Sequence, residues 1–432
     1  MTILSLSGLS DLDEVARRRL TRRSAVPDPT VRSTVAETCR RVREGGDAVV
    51  AELAVRFGGG FRRVPDHEMD TAVAGLAPEV RRALDASIEA VSAYHRAQTS
   101  AELTVETFPG VTITRQWAPL RRVGAYVPGG KASYPSTVVM TVVPAVVAGV
   151  AEIVVVSPQG GDGTVSPVML AAARLAGATE VWTVGGAQAI AALAYGTESI
   201  EPVDKIVGPG NTWVTAAKLE VLGVCGIDLP AGPSEVLVLA DAGADPTLVA
   251  VDLLCQAEHG PDSPAVLVTT DSALAEAVDA ELERILPSLE RADILGKALA
   301  DHGVALVADT HAQAVAFANE YAAEHVTILT ADAEADAAAI TAAGSVYVGE
   351  WAPESAGDYA TGANHVLPTG GLAAAYGPLA TADFGSWRQV QRIDRAGLAA
   401  IAPTISILAT AEGLTAHRLA ATVRLERQET SR

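Results

Sequence analysis

The spacing of apolar residues changes character along the chain. Up to about residue 100 apolar positions recur at helical intervals, with charged residues between them. Residues 1–24 open on an apolar stretch and continue into a charged, helix-like segment, Asp11–Arg22, that reads as a packing arm. Residues 28–58 read as a helix pair broken at Gly45-Gly46-Asp47. His67–Ser100 is helical, with Pro78 opening a new helix. Leu103–Phe108 and Val111–Ala118 then predict a β-hairpin around Pro109-Gly110.

From Val123 short, unbroken apolar runs alternate with helical stretches. The strands are Val123–Val127, Ile153–Ser157, Val181–Val184 and Lys205–Val207. Between and after them come helices at Ser136–Gly149, Ser166–Gly177, Ala187–Tyr195 and Thr212–Leu222. A second series follows Gly226-Ile227-Asp228. Its strands are Val236–Leu239, Ala265–Thr269, Val304–Val307, Val326–Leu329 and Ser345–Val348. Its helices fall near 246–259, 272–285, 288–301, 310–323 and 332–343. Strands with no polar alternation are buried on both faces, so the pattern predicts α/β architecture with two parallel-sheet modules. Gly349–Thr381 is rich in Gly, Ala and Pro and has no period, and long loops of this kind are often functional. Gln389–Arg427 reads as helical again, a C-terminal helical tail.

Composition narrows the function. The chain has 432 residues, 49% of them hydrophobic, which is enough for two cores. With 32 basic and 52 acidic side chains the net charge is −20, which argues against nucleic acid or an anionic membrane as partner. Cys39, Cys225 and Cys255 are far apart and odd in number, as expected of reduced thiols in a cytoplasmic protein. No signal peptide is read in Met1–Arg23, and the apolar run Thr137–Val150 is too short to span a bilayer.

Candidate chemistry centres on Gln256-Ala257-Glu258-His259-Gly260-Pro261. This stretch closes a helix with Asp245 as N-cap and Pro246 in the first position. Gln256 and His259 are i and i+3 on its last turn, at the negative end of the helix dipole, where a cation is favoured. Glu324-His325 stands at a helix-to-strand junction and could divide acid and base work. The Gly-rich loop adds Glu354, Asp358 and His365, and the tail adds Glu412 and His417. Gln256, His259, Asp358 and His417 together make a coherent N/O ligand set for zinc. Three glycine turns, Tyr126–Gly130, Gly185–Gln188 and Gly208–Asn211, sit at strand carboxyl ends, where open α/β sheets bind ligands. None carries the G-x-G-x-x-G fingerprint, so tight turns without a nucleotide explain them equally well.

From Val123 to His417 the chain resembles the histidinol dehydrogenase family. The resemblance is carried by those three turns, Tyr134-Pro135-Ser136-Thr137, Ala231–Glu235, Gln256–Gly260, Ala323-Glu324-His325, Glu354–Tyr359, Asn364–Thr369 and Glu412–His417. It implies oxidation of the amino alcohol L-histidinol to L-histidine through an aldehyde, with two NAD⁺ and zinc, in a homodimer with shared active sites. Tyr126, Gln188 and Asn211 are then expected to contact NAD. Gln256, His259, Asp358 and His417 are expected to bind zinc, with His417 coming from the partner subunit. Ser234, His365 and Glu412, together with the zinc ligands and His325, are expected to face the substrate. His325 is the expected general base, and Glu324 is expected to activate water. The implied domains are an arm (1–24), a discontinuous α/β domain (25–122 plus 235–375), an NAD-binding Rossmann-like domain (123–234) and the helical tail (376–432). Thr141 and the segment Ala373–Leu379 depart from the family pattern. Two other functions fit parts of this reading: oxidation of another polar alcohol, such as sulfopropanediol, and a two-domain solute-binding protein without catalysis.

Overall fold

The computed structural model describes residues 3–23, 28–57, 59–129, 133–160 and 163–426. Ser24, Gly58, Gly130 and Arg427, which bound or belong to expected segments, lie outside the described residues. The described chain divides into two compact units, residues 1–98 with 120–384, and residues 99–119 with 385–432.

The first unit opens with strand β1 (Ser5–Gly8) and helices α1 (Glu14–Thr21), α2 (Pro29–Arg56), α3 (Asp66–Ala74) and α4 (Pro78–Ala97). The expected break in α2 is at Gly46, at φ 54° and ψ −142°, a conformation that favours glycine. The Glu198 carboxylate occupies the space a Cβ would need there, and it accepts the Asp47 N–H at 2.8 Å.

The hairpin strands β2 (Leu103–Phe108) and β3 (Val111–Pro119) intervene, and then the first sheet module begins. Its elements in order are β4 (Arg122–Tyr126), α5 (Pro135–Ala148), β5 (Glu152–Val156), α6 (Pro167–Ala176), β6 (Glu180–Trp182), α7 (Gly186–Tyr195), β7 (Lys205–Val207), α8 (Thr212–Val221) and β8 (Gly226–Ile227). The strands are parallel in the order β6-β5-β4-β7-β8. The order reverses beside β4, so a crevice opens at the carboxyl ends of β4 and β7. Helix α2 packs on α7 and α8, α3 on α6, and α4 on α5. Val35, Cys39, Val42 and Leu53 of α2 share one core with Val154, Ile190 and Ile206. Helices α2 to α4, which the expected division grouped with 235–375, thus pack on the helices of the 123–234 module, and His95 of α4 also bonds Asn364.

The second module contains β9 (Val236–Ala240), α9 (Pro246–Ala257), β10 (Ala265–Thr269), α10 (Ser272–Ile285), α11 (Ala292–His302), β11 (Gly303–Val307), α12 (His311–Tyr321), β12 (His325–Leu329), α13 (Ala333–Ala339), β13 (Ser345–Val348) and the short α14 (Glu354–Tyr359). Its six parallel strands run β1-β11-β10-β9-β12-β13. Along β9, Val236 and Val238 enter one core while Leu237 and Leu239 enter the core on the opposite face, the period of two that a doubly covered strand requires. The expected arm thus contributes a strand as well as a helix: Ser5 pairs with Val304 at the sheet edge.

The second unit holds a three-stranded antiparallel sheet in the order β14-β3-β2, with β14 spanning Gly385–Ile393, and the helices α15 (Arg395–Ala411) and α16 (Thr415–Glu426). The sequence predicted helix from Gln389, but Gln389–Ile393 are strand. They pair with Arg115–Val111 of the hairpin, and Trp387 packs on Trp117 with ring centroids 5.2 Å apart. The helix starts only after Asp394, whose side chain caps it through the Gly397 N–H.

Candidate active site

The ionisable cluster forms at the amino-terminal edge of the second sheet, where β9 and β12 begin and α9 ends. Asp245 caps α9 as expected and accepts the Thr247 N–H. The helix stops at Ala257, leaving Gln256 in its last turn and His259 just beyond. Its carboxyl end, with unpaired carbonyls and negative dipole, faces this edge and suits a cation. Before β12 the chain turns through Ala322, the one non-glycine residue with positive φ among the described residues (φ 50°, ψ 58°). Holding Ala there costs of order 1 kcal/mol. The turn ends α12 abruptly and delivers Ala323-Glu324-His325 onto the strand edge, where the His325 N–H donates to the Glu235 carbonyl at 3.2 Å.

Glu324 Oε2 accepts from Ser234 Oγ at 2.5 Å and from the Glu235 N–H at 3.0 Å. Burial pushes this carboxyl well above the usual carboxylate range, against the pull of those two bonds. His325 is buried with Nδ1 3.2 Å from Gln256 Oε1, 3.9 Å from Glu324 Oε2 and 3.7 Å from Glu354 Oε1. Burial, and then the neighbouring His259 and His365, push its imidazole down to about 3, so it is neutral at physiological pH. His365 Nδ1 lies 3.1 Å from the Asp358 carbonyl, and burial lowers this imidazole as well. His259 is exposed.

Glu354 and Asp358 are i and i+4 on α14 and project from one side of it. One ligand atom each from His259, Glu354 and Asp358 lies within 4.8 Å of the others. Four side-chain atoms around this cluster are buried without a hydrogen-bond partner: Gln256 Nε2, His325 Nε2 and both carboxylate oxygens of Glu354. A cation bound by imidazole and carboxylate would answer the Glu354 orphans, so the residues fit a divalent metal of the zinc type. Burial, Glu354 and Asp358 push the Cys255 thiol up, which disfavours the thiolate that a metal ligand would need. Sequence reasoning placed Glu354 in the loop but gave it no role. It also missed the support behind Ser234. There Arg23 forms a bidentate pair with Glu235 (2.6 and 2.8 Å) while stacking 3.4 Å from the Tyr321 ring centroid. The Gly370 N–H adds a 3.0 Å bond to the same carboxylate. His95 is a core histidine bonded to the Val91 carbonyl and to Asn364.

The three glycine turns converge on the crevice of the first sheet. Gly208 has φ +107°, and a Cβ there would lie 2.2 Å from the Tyr126 carbonyl oxygen, so the ends of β4 and β7 touch backbone to backbone. Tyr126 Oη accepts the Gly186 N–H at 3.2 Å, joining β4 to the start of α7. Gln188 is buried in the first turn of that helix. Asn211 caps α8 by accepting the Trp213 and Val214 N–H groups at 3.1 Å each, which leaves its NH₂ as the donor it can offer a ligand. Beneath the turn, Asp228 accepts the Gly208 N–H and pairs with buried Lys218, which bonds the Gly208 carbonyl.

Comparison with known proteins matches this arrangement over almost the whole chain. The family model for histidinol dehydrogenase covers residues 21–425. Histidinol dehydrogenase of Pectobacterium atrosepticum is 45% identical over 418 residues, 95% of this chain and 93% of the relative. That of Methanosarcina barkeri is 43% identical over 423 residues, 96% and 97% of the two chains. The crystal structure of histidinol dehydrogenase from Elizabethkingia anophelis has the same fold, with a TM-score of 0.92 and 35% identity over 99% of each chain.

The chain belongs to the histidinol dehydrogenase family. As a member it is an enzyme of the dehydrogenase class, with the two parallel-sheet modules and helical tail of a histidinol dehydrogenase. Of the residues the family resemblance singles out, the first unit gathers Ser234, Gln256, Glu324 and His325 by direct bonds, and His259, Asp358 and His365 beside them. It sets Tyr126, Gln188 and Asn211 at the other sheet. Glu412 and His417 stand in the second unit, at the end of α15 and on α16, both exposed. Among the described residues no helix is long and apolar enough to cross a membrane.

Proposed function

We propose that this enzyme oxidises L-histidinol to L-histidine in two successive NAD-linked steps at one zinc-dependent site, as a step of histidine biosynthesis. The observation that carries the reading is the buried Glu324–His325 pair, bonded to Ser234 and Gln256 and set beside His259, Glu354 and Asp358. Gln256, His259 and Asp358 would hold zinc together with His417 of the partner subunit, while Tyr126, Gln188 and Asn211 would hold NAD. When bound, zinc would orient the substrate nitrogens and act as Lewis acid, and NAD would accept hydride.

The chain's own groups divide the proton work. With Nδ1–H donating to Gln256 Oε1, His325 keeps its lone pair on Nε2, the atom without a partner. A neutral, buried imidazole at that atom takes the alcohol proton as the first hydride leaves carbon. Ser234 and the Glu235 N–H fix one oxygen of Glu324, and Glu324 then removes a proton from the water that adds to the aldehyde. His365 of this subunit and Glu412 of the partner subunit would face the substrate. Each substrate loses four electrons, as two hydrides, and gains one oxygen from water. A homodimer with shared sites is part of this proposal, as is location in the cytoplasm.

The test is stoichiometric. Metal-free protein is reloaded with zinc, supplied with NAD⁺ and L-histidinol, and NADH is counted by absorbance. Two NADH per histidinol, with histidine as product, is expected. One NADH per substrate, full activity without metal, or turnover confined to another alcohol in a panel that includes sulfopropanediol would each refute it.

A further inference from the structure

We propose that Arg23 is a positioning residue for the oxidation of the aldehyde, its guanidinium holding the segment that aims Glu324 at the water. The inference rests on the roles given to Glu324 and His325 above and adds a residue that touches no reacting atom. Four of the five guanidinium N–H donors are engaged. Nε and Nη2 form a fork on the two carboxylate oxygens of Glu235, at 2.6 and 2.8 Å. Nη2 also donates to the Tyr321 carbonyl, and Nη1 to the Leu20 carbonyl, each at 2.7 Å. The guanidinium lies over the Tyr321 ring as well. One planar group therefore joins the last turn of α1, the residue before β9 and the end of α12.

What the fork fixes lies next to the chemistry. Glu235 is buried, and its N–H and the preceding Ser234 hydroxyl are the two donors that hold Glu324 Oε2. The Tyr321 carbonyl stands one residue before Ala322, whose positive φ delivers Glu324 to the strand edge. Arg23 thus grips Glu324 twice, through the donors that orient its carboxyl and through the turn that carries it. The loop bearing His365 is latched to the same segment, since Glu235 Oε1 accepts the Gly370 N–H at 3.0 Å and Thr369 Oγ1 accepts the Gly232 N–H at 2.6 Å. His325 depends on the clamp less. Its ring is held by Gln256 and its N–H by the Glu235 carbonyl in the β9–β12 ladder, bonds made without Arg23. A bidentate fork fixes orientation as well as charge, whereas a lysine ammonium supplies charge alone.

The experiment compares wild type with Arg23→Lys, Arg23→Met and the double variant Arg23→Met with Glu235→Gln, all as zinc-loaded full chains. Each half-reaction is followed separately by NADH absorbance, starting from L-histidinol or from its aldehyde, and melting temperature is recorded for each protein. In Arg23→Lys the aldehyde-to-acid rate is expected to fall about tenfold or more, while the alcohol-to-aldehyde rate stays within about threefold of wild type. The KM for NAD⁺ stays within about twofold, because Tyr126, Gln188 and Asn211 stand at the other sheet. Arg23→Met leaves the Glu235 charge buried without its counterion, so its melting temperature falls. The double variant removes that charge and regains melting temperature, but it does not regain the aldehyde rate, whereas a residue that only stabilises the fold would restore both together. Wild-type rates in Arg23→Lys, equal losses in the two half-reactions, or recovery of rate along with stability in the double variant would each overturn the assignment and leave the proposed function standing. Wild-type protein that oxidises neither L-histidinol nor its aldehyde overturns both.

Discussion

Replacing Asp252 by Asn is predicted to stabilise the metal-free protein at alkaline pH and to do so less and less as the pH falls. Asp252 lies on α9, one turn before Gln256, and only 8% of it is exposed. Burial lifts its carboxyl from 3.8 to about 6. A carboxyl raised by folding supports the fold most fully below its unfolded value, and that support is lost as pH climbs through the folded one. At about 1.4 kcal/mol per pH unit between the two values, the ionised side chain costs the fold on the order of 3 kcal/mol at pH 8, but roughly 1 kcal/mol at pH 4.5. The buried amide of Asn carries a penalty of its own, about 1–3 kcal/mol if unbonded, which does not change with pH. The diagnostic is therefore the difference between the two pH values, about 2 kcal/mol. Urea unfolding of both proteins after metal removal, at pH 4.5 and pH 8, measures it. An advantage for the variant that is equal at both pH values, or that is larger at pH 4.5, would falsify the argument. The same charge lies close enough to Glu354 to raise its carboxyl, so Asp252→Asn should gain stability while weakening the attraction for a cation, a trade typical of functional sites.

Two further outcomes test the division of labour and the shared site. His325→Ala should slow both oxidations, whereas Glu324→Gln should slow mainly aldehyde to acid, by 10²–10⁴-fold as expected for loss of a general base; equal losses in both half-reactions for Glu324→Gln would contradict the roles given. Mixing inactive His417→Ala with inactive His325→Ala chains under subunit exchange should restore about a quarter of wild-type activity if a two-fold dimer shares its sites. Exchange demonstrated by mass spectrometry without any recovery would place His417 in its own subunit or outside the site.

Much of the fold was legible because its signals are local. The two βαβα series follow from unbroken apolar runs, and α9 announces itself through Asp245, Pro246 and Gly260. β14 was not legible in the same way. Its residues, Arg388-Gln389-Val390-Gln391-Arg392, carry no apolar alternation, and their partner strand lies some 270 residues earlier. The usable signal was Asp394, an N-cap that places the helix start after Ile393. β1 was missed because a four-residue strand at a sheet edge depends on a partner far along the chain. The chemistry of Glu324, His325, Gln256 and Asp358 could be guessed by residue type. That they meet at the amino edge of the second sheet could not, since ligands of open α/β sheets ordinarily sit at the carboxyl edge. Glu354 was visible as a letter, but its isolation from every hydrogen-bond donor is a property of packing.

The pairing of β1 with β11 also bears on how the chain is made. Ser5–Gly8 leave the ribosome about 300 residues before Val304–Val307, their partners. At translation rates of about 5–20 residues per second the early segment waits roughly 15–60 s for a sheet to join. During that interval Leu4 and Leu9, which end in cores on opposite faces of the second sheet, have no native place to go. The segment between them, Ser5-Leu6-Ser7-Gly8, is short, half polar and closed by glycine, a composition that forms strand-to-strand aggregates poorly. Its modest strand character is thus an advantage in a nascent chain, and the same modesty hid it from a reading by hydrophobic pattern.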